Sequence, residues 1–258
     1  MPILVRTSSD EFQGILRQRY GGFVHDGATP VFQFNVDIVL PEQSGTGNVD
    51  DDLSVRLENN RWILERGDFH AELDPAARRG FIRQTANPYS IDAAFRVMHS
   101  LLLAEDPDEH GLLIHAASCI RNGRAFLFAG VSGAGKTTIS SLAPPDATLL
   151  TDEISYVRKT SAGYTAFGTP FAGELAKPGE NVQAPVGAIY LLVQGPENKI
   201  EPVGPAQAIR ALMESVLFFA SDKRLVDRVF DNACAMVEAV PFYRLTFLPD
   251  RRVWDLIL

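Results

Sequence analysis

Lys136 and Thr137 close the run Gly130-Val131-Ser132-Gly133-Ala134-Gly135-Lys136-Thr137, which carries the required residue at every fixed position of the spacing G-x-x-x-x-G-K-[ST]. That spacing answers the chemistry of a nucleoside triphosphate, ATP, with Mg²⁺. Glycines free the backbone to turn its N–H groups inward, so that the amides from Gly130 through Ser132, Gly133, Ala134 and Gly135 and on to Thr138 face phosphate oxygens. Lys136 is placed to reach the β and γ oxygens, and the Thr137 hydroxyl takes a position on the metal. A helix opening near Lys136 adds the positive end of its dipole to the same place.

Two acids follow at a suitable distance. Asp152 ends the apolar run Ala147-Thr148-Leu149-Leu150-Thr151, about one loop and one helix after Lys136, where an acid that holds Mg²⁺ opposite the phosphates is expected. Glu153 stands beside it. Adjacent carboxylates can divide the work, one holding the metal and the other accepting a proton from an attacking hydroxyl.

The elements around these residues must place them. Ala125-Phe126-Leu127-Phe128-Ala129 reads as a buried strand entering the loop, and Thr137 to Ala143 as a short helix stopped by Pro144-Pro145. Before that strand, Leu112 to Ile120 is a second strand, and Asn122-Gly123 is a hairpin turn signal. An antiparallel hairpin therefore delivers the phosphate loop, where a doubly wound sheet would use a crossover helix. Upstream, residues 1 to about 89 read as β-rich. Phe32, Phe34, Val36, Ile38 and Leu40 alternate with polar residues, Glu42 to Asp52 is a polar loop, and Leu53 to Leu73 is a meander turning at Asn59-Asn60. Ser90 is an N-cap for a helix whose Ile91, Ala94, Phe95, Met98, Leu101 and Leu102 share a face. Downstream, Ala188 to Val193 is a core strand, Pro205 to Phe219 and a segment after Asp222 are helices, and Phe242 to Leu248 is a closing strand. In the second of those helices Leu225, Val226, Val229, Phe230, Ala233, Met236 and Val237 supply the apolar positions.

Ile114-His115, the hairpin, the Gly130–Thr137 loop and Leu149-Leu150-Thr151-Asp152-Glu153, in that order, resemble the catalytic domain of HPr kinase/phosphorylase and its kinase relatives. Those share a nucleotide fold with phosphoenolpyruvate carboxykinases. The resemblance covers residues 111 to 200, about a third of the chain. It implies an α/β phosphate-loop domain with a mixed sheet at 109–258, preceded by a β-rich N-terminal region with a helix at its end at 1–108. It also implies that His115, Asp152 and Glu153 are the matching active-site positions beside Lys136, with one acid as base and one with Mg²⁺. The family has Asp where this chain has Glu153, which puts the division of roles in question. The family's order of acids nonetheless implies Asp152 as the base that takes the hydroxyl proton and Glu153 near the metal, with Asp152 as a metal ligand the alternative. His115 is open too, between a γ-phosphate contact and a satisfied strand histidine. The stretches that carry arginines in true HPr kinases, here Gly168–Glu174 and Pro202–Pro205, hold none, which argues against an HPr substrate and against the reverse phosphorolysis. The N-terminal region resembles that of HPr-kinase-like proteins encoded near peptide-modification genes, some of which phosphorylate a peptide serine.

Bulk composition narrows the classes. The chain has 258 residues, 46% of them hydrophobic, enough for a substantial core, and its 24 basic against 32 acidic residues give a formal charge of -8. That balance, without a basic cluster, opposes nucleic-acid binding. No apolar run approaches the roughly 20 residues that span a bilayer, and no signal-peptide pattern opens the chain, so a cytoplasmic protein without a membrane partner is expected. Cys119 and Cys234 sit in apolar stretches and read as reduced core residues. His25, His70, His99 and His110 lack metal-ligand spacing. Glu174, after a Gly-rich turn, reads equally as an active-site acid or a solvated one. The expected activity is transfer of the γ-phosphoryl of ATP to a hydroxyl of a peptide or protein serine or a small alcohol. The alternatives are an ATP-binding regulatory or recognition module with negligible turnover and, third, a carboxykinase. The oligomeric state stays open, a homo-oligomer included.

Overall fold

The computed structural model describes residues 2–39, 52–106, 110–175 and 177–257; the polar loop expected at Glu42 to Asp52 lies, but for Asp52, outside them. By contacts the chain divides into two compact units, Met1–Glu105 with Phe218–Val226, and Asp106–Leu217 with Asp227–Leu258. The architecture is mixed α/β with two mixed sheets.

The first unit holds strands β1 (Ile3–Thr7), β2 (Phe32–Ile38), β3 (Ser54–Glu58), β4 (Arg61–Arg66), β5 (Phe69–Asp74) and β6 (Arg79–Gln84) in the order β1-β2-β6-β5-β4-β3, with helices α1 (Asp10–Tyr20) and α2 (Pro88–Glu105). β3 to β6 form the antiparallel meander, whereas β1, β2 and β6 pair in parallel. Asn59 and Asn60 adopt φ of 49° and 63°, the left-handed pair that a two-residue hairpin turn demands. Phe32, Phe34 and Val36 are buried as their alternation requires, and the ring of Phe34 lies where a Cβ on Gly80 would stand, 2.4 Å away. α1 has no counterpart in the sequence reading. Ser9 caps it, its hydroxyl accepting from Phe12 N, but only Phe12 is buried, so no apolar stripe announces the helix. Ser90 is not the N-cap of α2: the helix starts at Pro88, a residue preorganised for a first turn, and the buried Ser90 hydroxyl donates to Asp68 instead.

The second unit is built on strands β7 (Gly111–Arg121), β8 (Arg124–Ala129), β9 (Thr148–Thr151), β10 (Ile154–Thr160), β11 (Gly163–Phe167), β12 (Gln183–Gln194), β13 (Lys199–Pro202) and β14 (Phe242–Phe247). The order is β11-β10-β7-β8-β12-β14-β13, with β9 also on β7 and a further pairing of β11 with β12. β7 and β8 are the antiparallel hairpin, turning at Asn122 and Gly123 with φ of 51° and 73°. β8, β12 and β14 then run parallel, so their carboxyl ends at Ala129, Gln194 and Phe247 share one edge.

Helix α3 (Lys136–Ser141) follows β8 and buries Ile139 against Phe128, Tyr190, Phe247 and Trp254, whose indole N–H donates to the Ile139 carbonyl at 3.1 Å. α4 (Pro205–Ser215) stops short of the expected Phe219. Val216 turns extended to bridge Ile114, and Leu217 N–H donates to Leu113 O at 2.8 Å, so an open edge of β7 takes residues that periodicity assigned to a helix. α5 (Lys223–Ala239) buries Leu225, Val229, Ala233 and Met236 but leaves Val226 and Phe230 exposed. Cys119 is buried and Cys234 only half-buried; neither is in a disulfide.

Candidate functional site

β8 ends in the glycine-rich loop, and two of its glycines are where L side chains rarely go: φ is +77° at Gly133 and +109° at Gly135. A Cβ on Gly135 would stand 2.6 Å from the Phe247 ring, and one on Gly130 2.7 Å from Ala134 Cβ, so the tight wrap excludes larger residues on steric grounds too. Gly135 is also the N-cap of α3 and supplies no side-chain cap to the first amides of the helix. Ser132 and Val131 are exposed on the loop, and Ala134 N–H donates to Val131 O at 3.0 Å. Gln194, at the end of β12, donates to Gly133 O at 2.7 Å; nothing in its sequence context marked it.

The Lys136 ammonium donates to Gly130 O at 2.9 Å and Val131 O at 3.3 Å, across the mouth of the loop. Burial lowers its pKa below the ordinary value, and the carboxylates of Glu153 and Glu174 act against that fall. Thr137 Oγ1 donates to Glu174 Oε2 at 2.9 Å. Glu174 thus comes to the loop from 37 residues downstream, and the only sequence signal for it is the preceding Gly-rich turn.

The acids lie in the two-residue break between β9 and β10, both of which pair with β7. Thr151 shapes the break: its hydroxyl accepts from Glu153 N at 3.1 Å and Ile154 N at 3.2 Å and donates to Phe171 O at 3.2 Å. The neighbours then diverge. Asp152 is buried, and its carboxylate accepts from Gly173 N and Leu175 N, each at 2.8 Å. Glu153 is partly exposed, and its Oε1 lies 4.0 Å from His115 Nε2 on β7, opposite Ile154 in the register. The structure therefore gathers Lys136, Thr137, Glu153, Glu174 and His115 around one loop and turns Asp152 toward the 170–175 segment.

A tight loop with positive-φ glycines, helix amides without a side-chain cap, a lysine and a threonine hydroxyl beside a carboxylate is a donor set suited to a polyphosphate with a hard divalent cation. Among the described residues no cluster of three His, Cys, Asp or Glu is arranged to hold a metal ion without such a ligand. No helix among them is long and apolar enough to cross a membrane.

Residues 90–257 match the model of a family described as SynChlorMet cassette protein ScmC. The match spans well over half of the chain, and the chain belongs to this family. Among solved structures it is similar to the Hpr(Ser) kinase/phosphatase from Coxiella burnetii, at 13% identity and a TM-score of 0.31 over 56% of this chain and 85% of that one. So low a score leaves the chemistry to the site's own residues. No curated protein matches.

Proposed function

We propose that this ScmC-family chain is an ATP-dependent kinase of the HPr kinase type that moves the γ-phosphoryl group of ATP to a hydroxyl, with a serine of a peptide or protein as the acceptor. The carrying observation is the place of Glu153, 4.0 Å from His115 and close enough to the loop lysine to influence its charge. In this reading the loop amides and Lys136 hold the phosphates, and Thr137 with Glu174 holds Mg²⁺. Mg-ATP, when bound, would supply the phosphoryl group to be transferred, its bond from the β,γ-bridging oxygen to the γ-phosphorus breaking as the bond to the acceptor oxygen forms, with ADP as the leaving group. Glu153 accepts the proton of the acceptor hydroxyl as that oxygen attacks, and His115 keeps the carboxylate aimed. Asp152, expected as base or metal ligand, already has both carboxylate oxygens engaged by main-chain amides. Fixed donors supply most of the rate, since phosphoryl transfer asks chiefly for positioning and charge neutralisation. The second unit then takes the hairpin-fed phosphate-loop fold shared by HPr kinases and phosphoenolpyruvate carboxykinases.

The test is incubation of the chain with Mg²⁺, γ-labelled ATP and a panel of serine peptides and small alcohols. Label on an acceptor hydroxyl supports the kinase. Tight ATP binding with no transfer to any acceptor favours a nucleotide-regulated binding module. Adding inorganic phosphate to a phosphorylated acceptor should release no pyrophosphate, because neither Gly168–Glu174 nor Pro202–Pro205 supplies an arginine.

A further inference from the structure

We propose that Asp152 is a positioning residue that seats the 170–175 segment and thereby delivers Glu174 to Thr137; its functional consequence rests on the kinase reading, its geometry does not. Asp152 is 3% exposed. A carboxylate so deeply buried needs strong hydrogen bonds in place of its lost water, and charge-assisted bonds from main-chain amides provide them. Its two donors, Gly173 N and Leu175 N, are the residues on either side of Glu174. Leu175 N belongs to the peptide group that follows Glu174 and Gly173 N to the one that precedes Gly173, so the main chain is held on both sides of Glu174 and the direction in which its side chain leaves is restricted. That side chain ends 2.9 Å from Thr137 Oγ1.

Two further contacts hold the same segment. Thr151 Oγ1, at the end of β9, donates to Phe171 O, so the consecutive residues Thr151 and Asp152 grip the segment at 171 as well as at 173 and 175. A Cβ on Gly173 would stand 2.4 Å from Glu153 Oε2 and 3.0 Å from Asp152 Oδ2, so a side chain there would displace the Glu153 carboxylate. Adjacent acids thus do different work. Glu153 faces the loop lysine, and Asp152 acts at one remove, through Glu174.

The experiment compares Asp152→Asn, Glu174→Gln and their combination in the full chain. Amide hydrogen exchange at Gly173 and Leu175, read by NMR without nucleotide, should quicken at least tenfold in Asp152→Asn, because the carboxamide offers one acceptor oxygen where two were used. The Mg²⁺ concentration for half-maximal thermal stabilisation by ATP should rise about tenfold in either single variant and no further in the double, as two residues acting through one contact require. The pH profile of transfer should keep its acidic limb in Asp152→Asn. Unchanged exchange at Gly173 and Leu175, additive effects on Mg²⁺, or loss of the acidic limb would each overturn the proposal, the last by making Asp152 the base. Should Asp152→Asn fail to fold, Leu175→Pro keeps the carboxylate and removes one donor; an unaltered Mg²⁺ requirement there overturns the proposal equally. If Mg-ATP does not stabilise the unmodified chain, the kinase reading fails while the exchange measurement still decides whether Asp152 seats the segment.

Discussion

Asp92 and Asp152 are both buried, at 4% and 3% exposure, and the two units neutralise them in opposite ways. In the first unit Asp92, on α2, accepts a two-pronged bond from the Arg19 guanidinium and another from the Tyr20 hydroxyl, both at the end of α1. The bond to Asp92 raises the Arg19 pKa, and burial, reinforced by the Asp92 charge, drives the Tyr20 hydroxyl far above its ordinary value. The charge is cancelled on the spot and two helices are locked together. In the second unit Asp152 accepts from two main-chain amides, which satisfy its oxygens but bring no full positive charge, and the carboxylates of Glu153 and Glu174 act electrostatically on Lys136. One buried aspartate completes a structural pair. The other holds a segment of main chain beside the glycine-rich loop.

Variants can break this contrast. The largest effect is expected from Glu153→Gln, which keeps the shape but cannot take a proton: label transfer should fall about 10² to 10⁴-fold with the melting temperature unchanged. Equal transfer in variant and parent would remove Glu153 from the chemistry. Next, Asp92→Ala leaves Arg19 and Tyr20 without their acceptor and should cost about 2–4 kcal/mol in denaturant unfolding, below the full penalty for a buried pair because Arg19 keeps some solvent. Its ATP affinity should stay as in the parent; a loss of affinity would erase the distinction between the two aspartates. Lys136→Ala should abolish a nucleotide stabilisation of about 2.7 kcal/mol, the amount given by Mg-ATP at 100 times its dissociation constant, as seen by thermal shift. Persistence of that shift would mean that the nucleotide binds elsewhere.

The smallest effect concerns pH in the first unit. Burial raises the Asp68 carboxyl, but the Arg66 fork and the Ser90 hydroxyl outweigh it and hold the pKa below its ordinary 3.8. A depressed carboxylate adds stability that is complete above the unfolded value and disappears as pH falls through the folded one. Unfolding curves between pH 5 and 2 should therefore show a steeper loss in the parent than in Asp68→Asn, and superimposable slopes would contradict it.

By itself the sequence determined what depends on a few consecutive residues. The Asn59-Asn60 and Asn122-Gly123 turns, the alternation of Phe32, Phe34 and Val36, and the passage from apolar strand through glycine-rich loop to α3 all follow from local backbone preference and side-chain period. Candidate residues were legible to the same extent. The positions of Lys136, Thr137 and the acidic pair come from spacing alone, whereas Glu174 and Gln194 reach the loop through folds of the chain that no short motif records. Tertiary structure alone decided the rest. Val216 and Leu217 continue a helical apolar pattern, yet they leave the helix because β7 has unpaired backbone groups that they satisfy. α1 exists although its sequence shows almost no buried face, since Arg19 and Tyr20 find their partner on α2, more than seventy residues later. Asp152 and Glu153 are adjacent carboxylates of nearly equal chemistry in the sequence. Which of them is buried and which faces the loop is set by amides at 173 and 175, because a hydrogen bond depends on the distance between groups in the folded chain and not on their separation along it.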